Sequence, residues 1–550
     1  MVTIDNLSIK GNTMKRWNGW GDEKNNFDFE LTKSSQDFIE SIIGKSAPLV
    51  AATLAETIAK VPPSRAPQHR LIATDEETRL RHCRGQSIHD WLAMRSGNFG
   101  VYPDGVALPE TSSDVQELRQ FAEKENLIII PYGGGTSVCG HITPEAGERP
   151  VITVAMTKMN KLMAFDKASQ IATFGAGTLG PDVERQLQEH GYTLGHYPQS
   201  WEMFTVGGWV ASRSSGQQSL RYGRIEKMFA GGRIESLQGT LDIPTFPASS
   251  SGPDIREMIL GSEGRMGIIT EVKMRVAKIA EVENFHVAFF PSWEIGMQAT
   301  REIVQDGVQL SMMRLINAVE TESHLKLAGH ARAVGIMEKY LSFRGCKTGK
   351  TMFTFGVTGG KEQCKSALKL VRKYISQHKG VYIGTPLGKH WQHSRFRSPY
   401  LRHGLWDVGI VVDTMETCLD WSVVPKAVAG MENDIAKALS TSEKAIEQEN
   451  AHVFKHLSHF YGQGCSIYTT FLFRMGTDYE QTMQRWEKLK AAGAQAIVRF
   501  GGTISHQHGV GKDHAQYLTA EKGELGIKAI KELCHLFDPD ERMNPGKFLP

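Results

Sequence analysis

The chain has 550 residues, 40% hydrophobic and 22% charged, too many for one core and too apolar to stay disordered, so two or three compact domains are expected. A formal net charge of +3 without any run of five or six basic residues gives no footprint for nucleic acid. The seven cysteines (Cys83, Cys139, Cys346, Cys364, Cys418, Cys465 and Cys534) contain no C-x-x-C pair and are odd in number, so neither a disulfide framework nor a thiolate zinc site is indicated, and a reducing compartment is expected.

The opening stretch "MVTIDNLSIKGNTMKRWNGWGDE" lacks the layout of a signal peptide, and no apolar run reaches the roughly 18 residues of a spanning helix, so a cytoplasmic chain is expected. A peripheral membrane contact stays open. Helical pattern follows in "SSQDFIESIIGK", with Ser35 expected as its cap, and in "APLVAATLAETIAKV". From Pro103 to about Val276 helical and strand patterns alternate. "DVQELRQFAEKEN" reads as helix, and "LIIIP", "PVITVAM" and "IATFGAG" read as strands, giving α+β character. From about Glu281 to Phe473 longer helical segments interleave with strands such as "TMFTFGVTG" and "VGIVVDT". A long helix follows from Thr482, then the histidine-rich "GGTISHQHGVGKDH", a last helix and a Pro/Gly tail expected to dock on a neighbouring domain.

Four glycine-rich clusters concentrate within the first half. "IIIPYGGGTSVCGH" sets three glycines directly after an apolar strand, where backbone amides can approach an anion with no Cβ in the way. "GAGTLG" (175–180) fits G-x-G-x-x-G formally but lacks the acidic residue that would follow a second strand, so it reads as a structural turn. "RGCKTGKT" (344–351) has Arg344 where a P-loop needs glycine and reads as coincidence. "HYPQSWEMFTVGGWVASRSSGQQSLRYGRI" (from 196) and "GSEGRMGIITEV" (from 261) offer small residues and hydroxyls that suit a flat ligand.

Together "WNGWG" (17–21), "PYGGGTSV", "TVGGWVASRSSG", "RYGRIE" and "GPDIREMILGSEGRMGIITEV" resemble the vanillyl-alcohol oxidase, or PCMH-type, flavoproteins, and within them the alkyldihydroxyacetonephosphate synthases, from about residue 15 to the end. The resemblance implies an α+β fold: a PCMH-type FAD-binding domain of two α+β subdomains plus a cap with an antiparallel sheet flanked by helices. The expected division is a helical lead-in over 1–95, the FAD domain over 96–280, the cap over 281–500, and a histidine loop and helix over 501–550 returning to the FAD domain. By resemblance FAD, bound non-covalently, would contact Pro131, Tyr132, Gly133, Gly134, Gly135, Thr136 and Ser137. It would also meet Gln199, Ser200, Thr205, Gly207, Gly208, Ser212, Arg213, Ser214 and Ser215, and then Glu263, Gly264, Gly267, Ile268 and Ile269.

The implied reaction is redox-neutral: the acyl chain of acyl-dihydroxyacetone phosphate is exchanged for a fatty alcohol through an adduct at flavin N5, in ether lipid synthesis. It requires a proton carrier, cations for the phosphate and an apolar tunnel. Tyr468 in "GCSIYTTFLF" resembles the family's acid/base tyrosine, and the histidine cluster is expected to lower its pKa. Arg314, inside the apolar "QLSMMRLINAVE", needs an anionic partner and resembles an essential family arginine. Arg402 in "YLRHGLWDVGIVVDT" resembles a substrate-phosphate contact. His506 and His508, two apart on an extended segment, would share a face toward flavin and substrate. No metal is expected, because the third-ligand strand motif of the related hydroxyacid dehydrogenases is missing. The family's three consecutive histidines are here His506, Gln507 and His508, and Gln199 stands where the synthases tend to show Asp. The rival readings are an FAD-dependent oxidoreductase of a 2-hydroxy acid or alcohol, of the D-lactate or glycolate dehydrogenase kind, and a non-catalytic flavoprotein. The expected partner is a small lipid substrate, with a homodimer also compatible.

Overall fold

The structure, a computed structural model, describes residues 14–23, 31–327, 331–440 and 449–550. Three large sheets organise the described residues, beside a two-stranded pairing of Tyr192–Thr193 with Ala277–Lys278. A four-stranded sheet places Gly105–Ala107, Val151–Ala155 and Ile128–Tyr132 in parallel register, with Ile72–Ala73 antiparallel at the edge. The near-continuous apolar runs of its strands fit a sheet covered on both sides. Packed beside it, a five-stranded antiparallel sheet runs Leu162–Asp166, Ile171–Gly175, Ile268–Arg275, Phe229–Ser236, Gly239–Ile243. Its core gathers Phe174, Trp209, Phe229 and Met274, all under 1% exposed.

A seven-stranded antiparallel sheet forms the second half, in the order Val381–Gly384, Val282–Phe290, Thr351–Gly359, Met312–Ile316, His452–Phe460, Gly464–Arg474, Ile410–Asp420. Strand side chains alternate between faces. Val411, Met415, Leu457, Ile467, Phe471 and Phe473 turn to the large core with the helices Val424–Lys437 and Tyr479–Phe500. The intervening Val412, Thr414, Phe454, His456, Tyr468, Thr470 and Leu472 line a cavity facing the glycine-rich half.

Two local expectations are corrected. The first helix is Lys33–Ile43 and its cap is Thr32, whose hydroxyl accepts the Ser35 amide; Ser35 sits one turn too far in, at the position that donates to a cap. Of "APLVAATLAETIAKV" only Leu54–Ile58 is helical, begun by a Thr53–Glu56 capping box. The tail lies against the glycine-rich half: Arg265 donates to the Met543 carbonyl, and Asn544 Nδ2 donates to the carbonyls of His141 and Glu263. Among the described residues no helix is long and apolar enough to cross a membrane.

Candidate active site

A cavity of about 800 Å³ opens between the glycine-rich half and the seven-stranded sheet. The whole stretch Pro131 to Ser137 lines it. Packing dictates glycine here: a Cβ on Gly134 would lie 1.5 Å from the Met203 carbonyl oxygen, and Gly135 has φ +67. Among the described residues the amides of Gly134, Gly135, Thr136 and Ser137 donate no hydrogen bond. Free amides at a cavity wall suit the diphosphate of a dinucleotide. Gln199, Ser200, Thr205, Gly207, Gly208, Ser212, Ser214, Ser215, Glu263, Gly264, Gly267, Ile268 and Ile269 line the same cavity. Arg213 does not: its side chain pairs with Glu257 at 2.8 Å. "GAGTLG" is the end of a strand packed on Met156, as a turn should be, and "RGCKTGKT" is an exposed connection into the Thr351 strand.

Strand register assembles the opposite wall. Tyr468 lies directly across from Glu416 on one neighbour and His456 on the other. Its ring stacks on His456 at 4.9 Å and meets His508 edge-on at 5.8 Å. Its hydroxyl donates to Thr414 Oγ1 at 3.1 Å. The expected lowering of the phenol pKa is corrected: burial pushes it up to about 12, with Glu416 and Asp413 adding to the rise. Burial also holds both His456 and His508 below their ordinary value.

Two carboxylates seat the 505–511 part of the histidine loop. Glu416, 1% exposed on the sheet face, accepts the amides of Gln507 (2.7 Å) and His508 (2.9 Å) and the Ser505 hydroxyl (3.1 Å). Burial pushes its carboxyl up, but His508, His506 and the amide bonds more than offset this and hold it ionised. Glu263 accepts the amides of Val510 (2.6 Å) and Gly511 (2.8 Å), where a Cβ on Gly511 would lie 2.0 Å from the Cys139 oxygen. The two histidines diverge. His508 and Gln507 line the cavity, whereas His506 does not. Its Nε2 takes Arg224 Nη1 at 2.5 Å and Tyr461 Oη at 2.7 Å. A guanidinium only donates, so the His506 proton sits on Nδ1, 3.5 Å from Glu416. The expectation that both imidazoles face flavin and substrate is corrected for His506, because the loop curls over Glu416 instead of running extended.

Arg314 and Arg402 both line the cavity. Arg314 already has an anion, Glu320 at 2.7 Å, and also reaches His456 Nδ1 at 3.2 Å. Burial raises the Glu320 carboxyl, but His456 and Arg314 overcome it and keep it ionised. Arg402 donates to the Gln86 carbonyl at 2.6 Å, lies over the Trp91 ring at 5.3 Å and faces Asp413 at 3.5 Å. Trp20, from "WNGWG", joins the same wall. Beyond them the cavity continues as an apolar arm along Leu31, Phe38, Ile39, Leu405, Phe454 and Leu472. Glu416, His456, His459 and Asp413 escape sequence reasoning. The signal was present as ionisable residues three apart, Asp413 and Glu416 in "IVVDTMETCLD" and His456 and His459 in "HVFKHLSHF", within strands otherwise apolar enough to be buried.

The chain matches two family models, "FAD binding domain" over residues 103–241 and "FAD linked oxidases, C-terminal domain" over 279–548. It is 31% identical to an alkyldihydroxyacetonephosphate synthase of Dictyostelium discoideum, over 86% of this chain and 78% of that protein. To the Trypanosoma brucei brucei protein of the same name it is 28% identical, over 97% of this chain and 92% of that one. A mitochondrial D-lactate dehydrogenase [cytochrome] of Arabidopsis thaliana is 24% identical over 87% of this chain and 78% of its own length. A solved alkyldihydroxyacetonephosphate synthase structure superposes with TM-score 0.81 at 27% identity, covering 96% of this chain and 98% of that chain. The p-cresol methylhydroxylase structure, at 13% identity and TM-score 0.64, shares the fold. With both halves matched, near-complete coverage and a cavity wall built for a dinucleotide, the chain belongs to the alkyldihydroxyacetonephosphate synthase family of PCMH-type, FAD-binding enzymes.

Proposed function

We propose that this enzyme exchanges the acyl chain of an acyl-dihydroxyacetone phosphate for a fatty alcohol, the redox-neutral step that makes an ether lipid precursor. One observation carries the reading: a single cavity joins free loop amides, two arginines, a tyrosine–histidine pair and an apolar arm. A hydroxy acid would use the first three and leave the arm without purpose. A chain-bearing phosphate uses all four.

FAD would be held non-covalently by the free amides of Gly134, Gly135, Thr136 and Ser137 and by the 199–215 and 263–269 segments, and when bound it would supply an electron-accepting ring. Arg402 holds the substrate phosphate, stacked on Trp91 and anchored to the Gln86 carbonyl. Arg314, pinned by Glu320, donates from the same cavity wall. Tyr468 remains protonated at Oη, so it gives a proton before it takes one. The neutral imidazole of His508 is the adjoining acceptor for the proton of the substrate carbon. His506 and Glu416 hold the loop that presents it. The apolar arm carries the hydrocarbon chain away from water. The FAD-binding unit ends near residue 280, where the first strand of the cap sheet begins.

The decisive assay supplies acyl-dihydroxyacetone phosphate and a fatty alcohol anaerobically and follows products beside flavin absorbance. Alkyl product and free fatty acid with unchanged flavin absorbance are expected. Lasting bleaching by D-lactate or another hydroxy acid, without exchange, would replace this reading with the oxidoreductase one.

A further inference from the structure

Arg402 does not face the cavity as a free cation. Its Nη2 lies 3.5 Å from Asp413 Oδ1, and Asp413 is 4% exposed. A carboxylate so placed would cancel the charge a phosphate needs. The same carboxylate, through Oδ2, accepts Trp486 Nε1 at 2.7 Å and lies 3.4 Å from Lys490 Nζ. Lys490 comes from the helix Tyr479–Phe500 on the far side of the sheet, is 7% exposed, and also donates to the Thr414 carbonyl at 3.0 Å.

We infer that Lys490 is a positioning residue for the phosphate site: it neutralises Asp413 from behind the sheet, so that Asp413 orients Arg402 without consuming its charge. The triad Arg402–Asp413–Lys490 carries one net positive charge, and only its Arg402 end lines the cavity. The other acids nearby do not upset this balance. Asp90 is engaged by Ser87 at 2.8 Å, Thr143 at 3.1 Å and Arg84 at 3.9 Å. The Asp513 carboxyl is pushed by burial toward its neutral form. At these short separations in a buried setting one charge changes anion affinity by about an order of magnitude.

The proposal rests on the reading that Arg402 meets the substrate phosphate, and inorganic phosphate, as a competitive inhibitor of the holoenzyme, tests the two separately. Arg402→Met should abolish phosphate inhibition; if it leaves inhibition unchanged, the Arg402 reading itself fails. Lys490→Met should weaken inhibition and raise KM about tenfold with kcat little changed, and Lys490→Arg should restore both. The double variant Lys490→Met with Asp413→Asn removes the buried pair together, so it folds without an unpaired charge and should bind phosphate within about twofold of the parent. If Arg402→Met abolishes inhibition while Lys490→Met leaves it untouched, or if the double variant stays as weak as Lys490→Met alone, the positioning role is overturned.

Discussion

Tyr468 owes its character to where the sheet puts it, between a buried carboxylate and a stacked, neutral imidazole. A phenol held near 12 stays protonated and is a weaker acid than free tyrosine, so its value lies in being placed on the cavity wall, and Tyr468→Phe should cut kcat by roughly a hundredfold or more while KM for the phosphate substrate stays put. Steady-state kinetics with varied substrate check this. Glu202 shows the same burial effect outside the chemistry. Its carboxyl accepts the Tyr400 hydroxyl at 3.2 Å and is pushed up to about 7 by burial. The folded chain therefore binds more protons than the unfolded one between about 4.5 and 7, and this group's contribution to stability falls as pH rises through that window. Glu202→Gln removes the penalty. It should stabilise the protein by up to about 3 kcal/mol at pH 8 and by little at pH 4.5, measured as the difference in urea unfolding between the two proteins.

At the scale of elements, the two segments that carry most of the site are loops whose glycines are set by contact distances. Gly134→Ala would drive a methyl into the Met203 carbonyl, so this variant should lose bound flavin, read as the ratio of absorbance near 450 nm to that at 280 nm, well before it loses its circular dichroism. The strands themselves were legible: "LIIIP", "PVITVAM", "GCSIYTTFLF" and "VGIVVDT" all form where their apolar runs lie. So were the glycine cradle and Tyr468, because each is a contiguous pattern. The histidine loop was half legible. Its residues stand out in the chain, but the partner that bends it, Glu416, lies about ninety positions earlier. No local pattern encodes a hydrogen bond across that separation. The same holds for Asp413 with Lys490, whereas Thr32 was a local choice between neighbouring hydroxyls, decided by the Ser35 amide that it accepts.

For the whole molecule, the cavity walls come from both halves, so a cofactor bound there would help to join them. Stripping FAD should lower the thermal midpoint, and adding it back should raise the midpoint in proportion to the logarithm of free FAD. A thousandfold excess over Kd would be worth about 4 kcal/mol. A midpoint indifferent to FAD, in a differential scanning titration, would mean the halves close on their own contacts. The apolar arm makes a second demand at this scale. Leu472→Trp narrows it without touching Tyr468 or Arg402, and should shift preference toward shorter fatty alcohols, seen by competing alcohols of two lengths in one reaction.

The seven-stranded sheet keeps its two jobs on two sides. Val411, Met415, Leu457, Ile467, Phe471 and Phe473 of its central strands bury into the helices, and Val412, Thr414, Tyr468, Thr470 and Leu472 between them line the cavity. Variation can therefore rewrite every second residue of a strand and try new chemistry while the folding instructions between them stay intact. Relatives that share the fold at 13% identity but are named for p-cresol and 4-ethylphenol are what such a divided sheet permits.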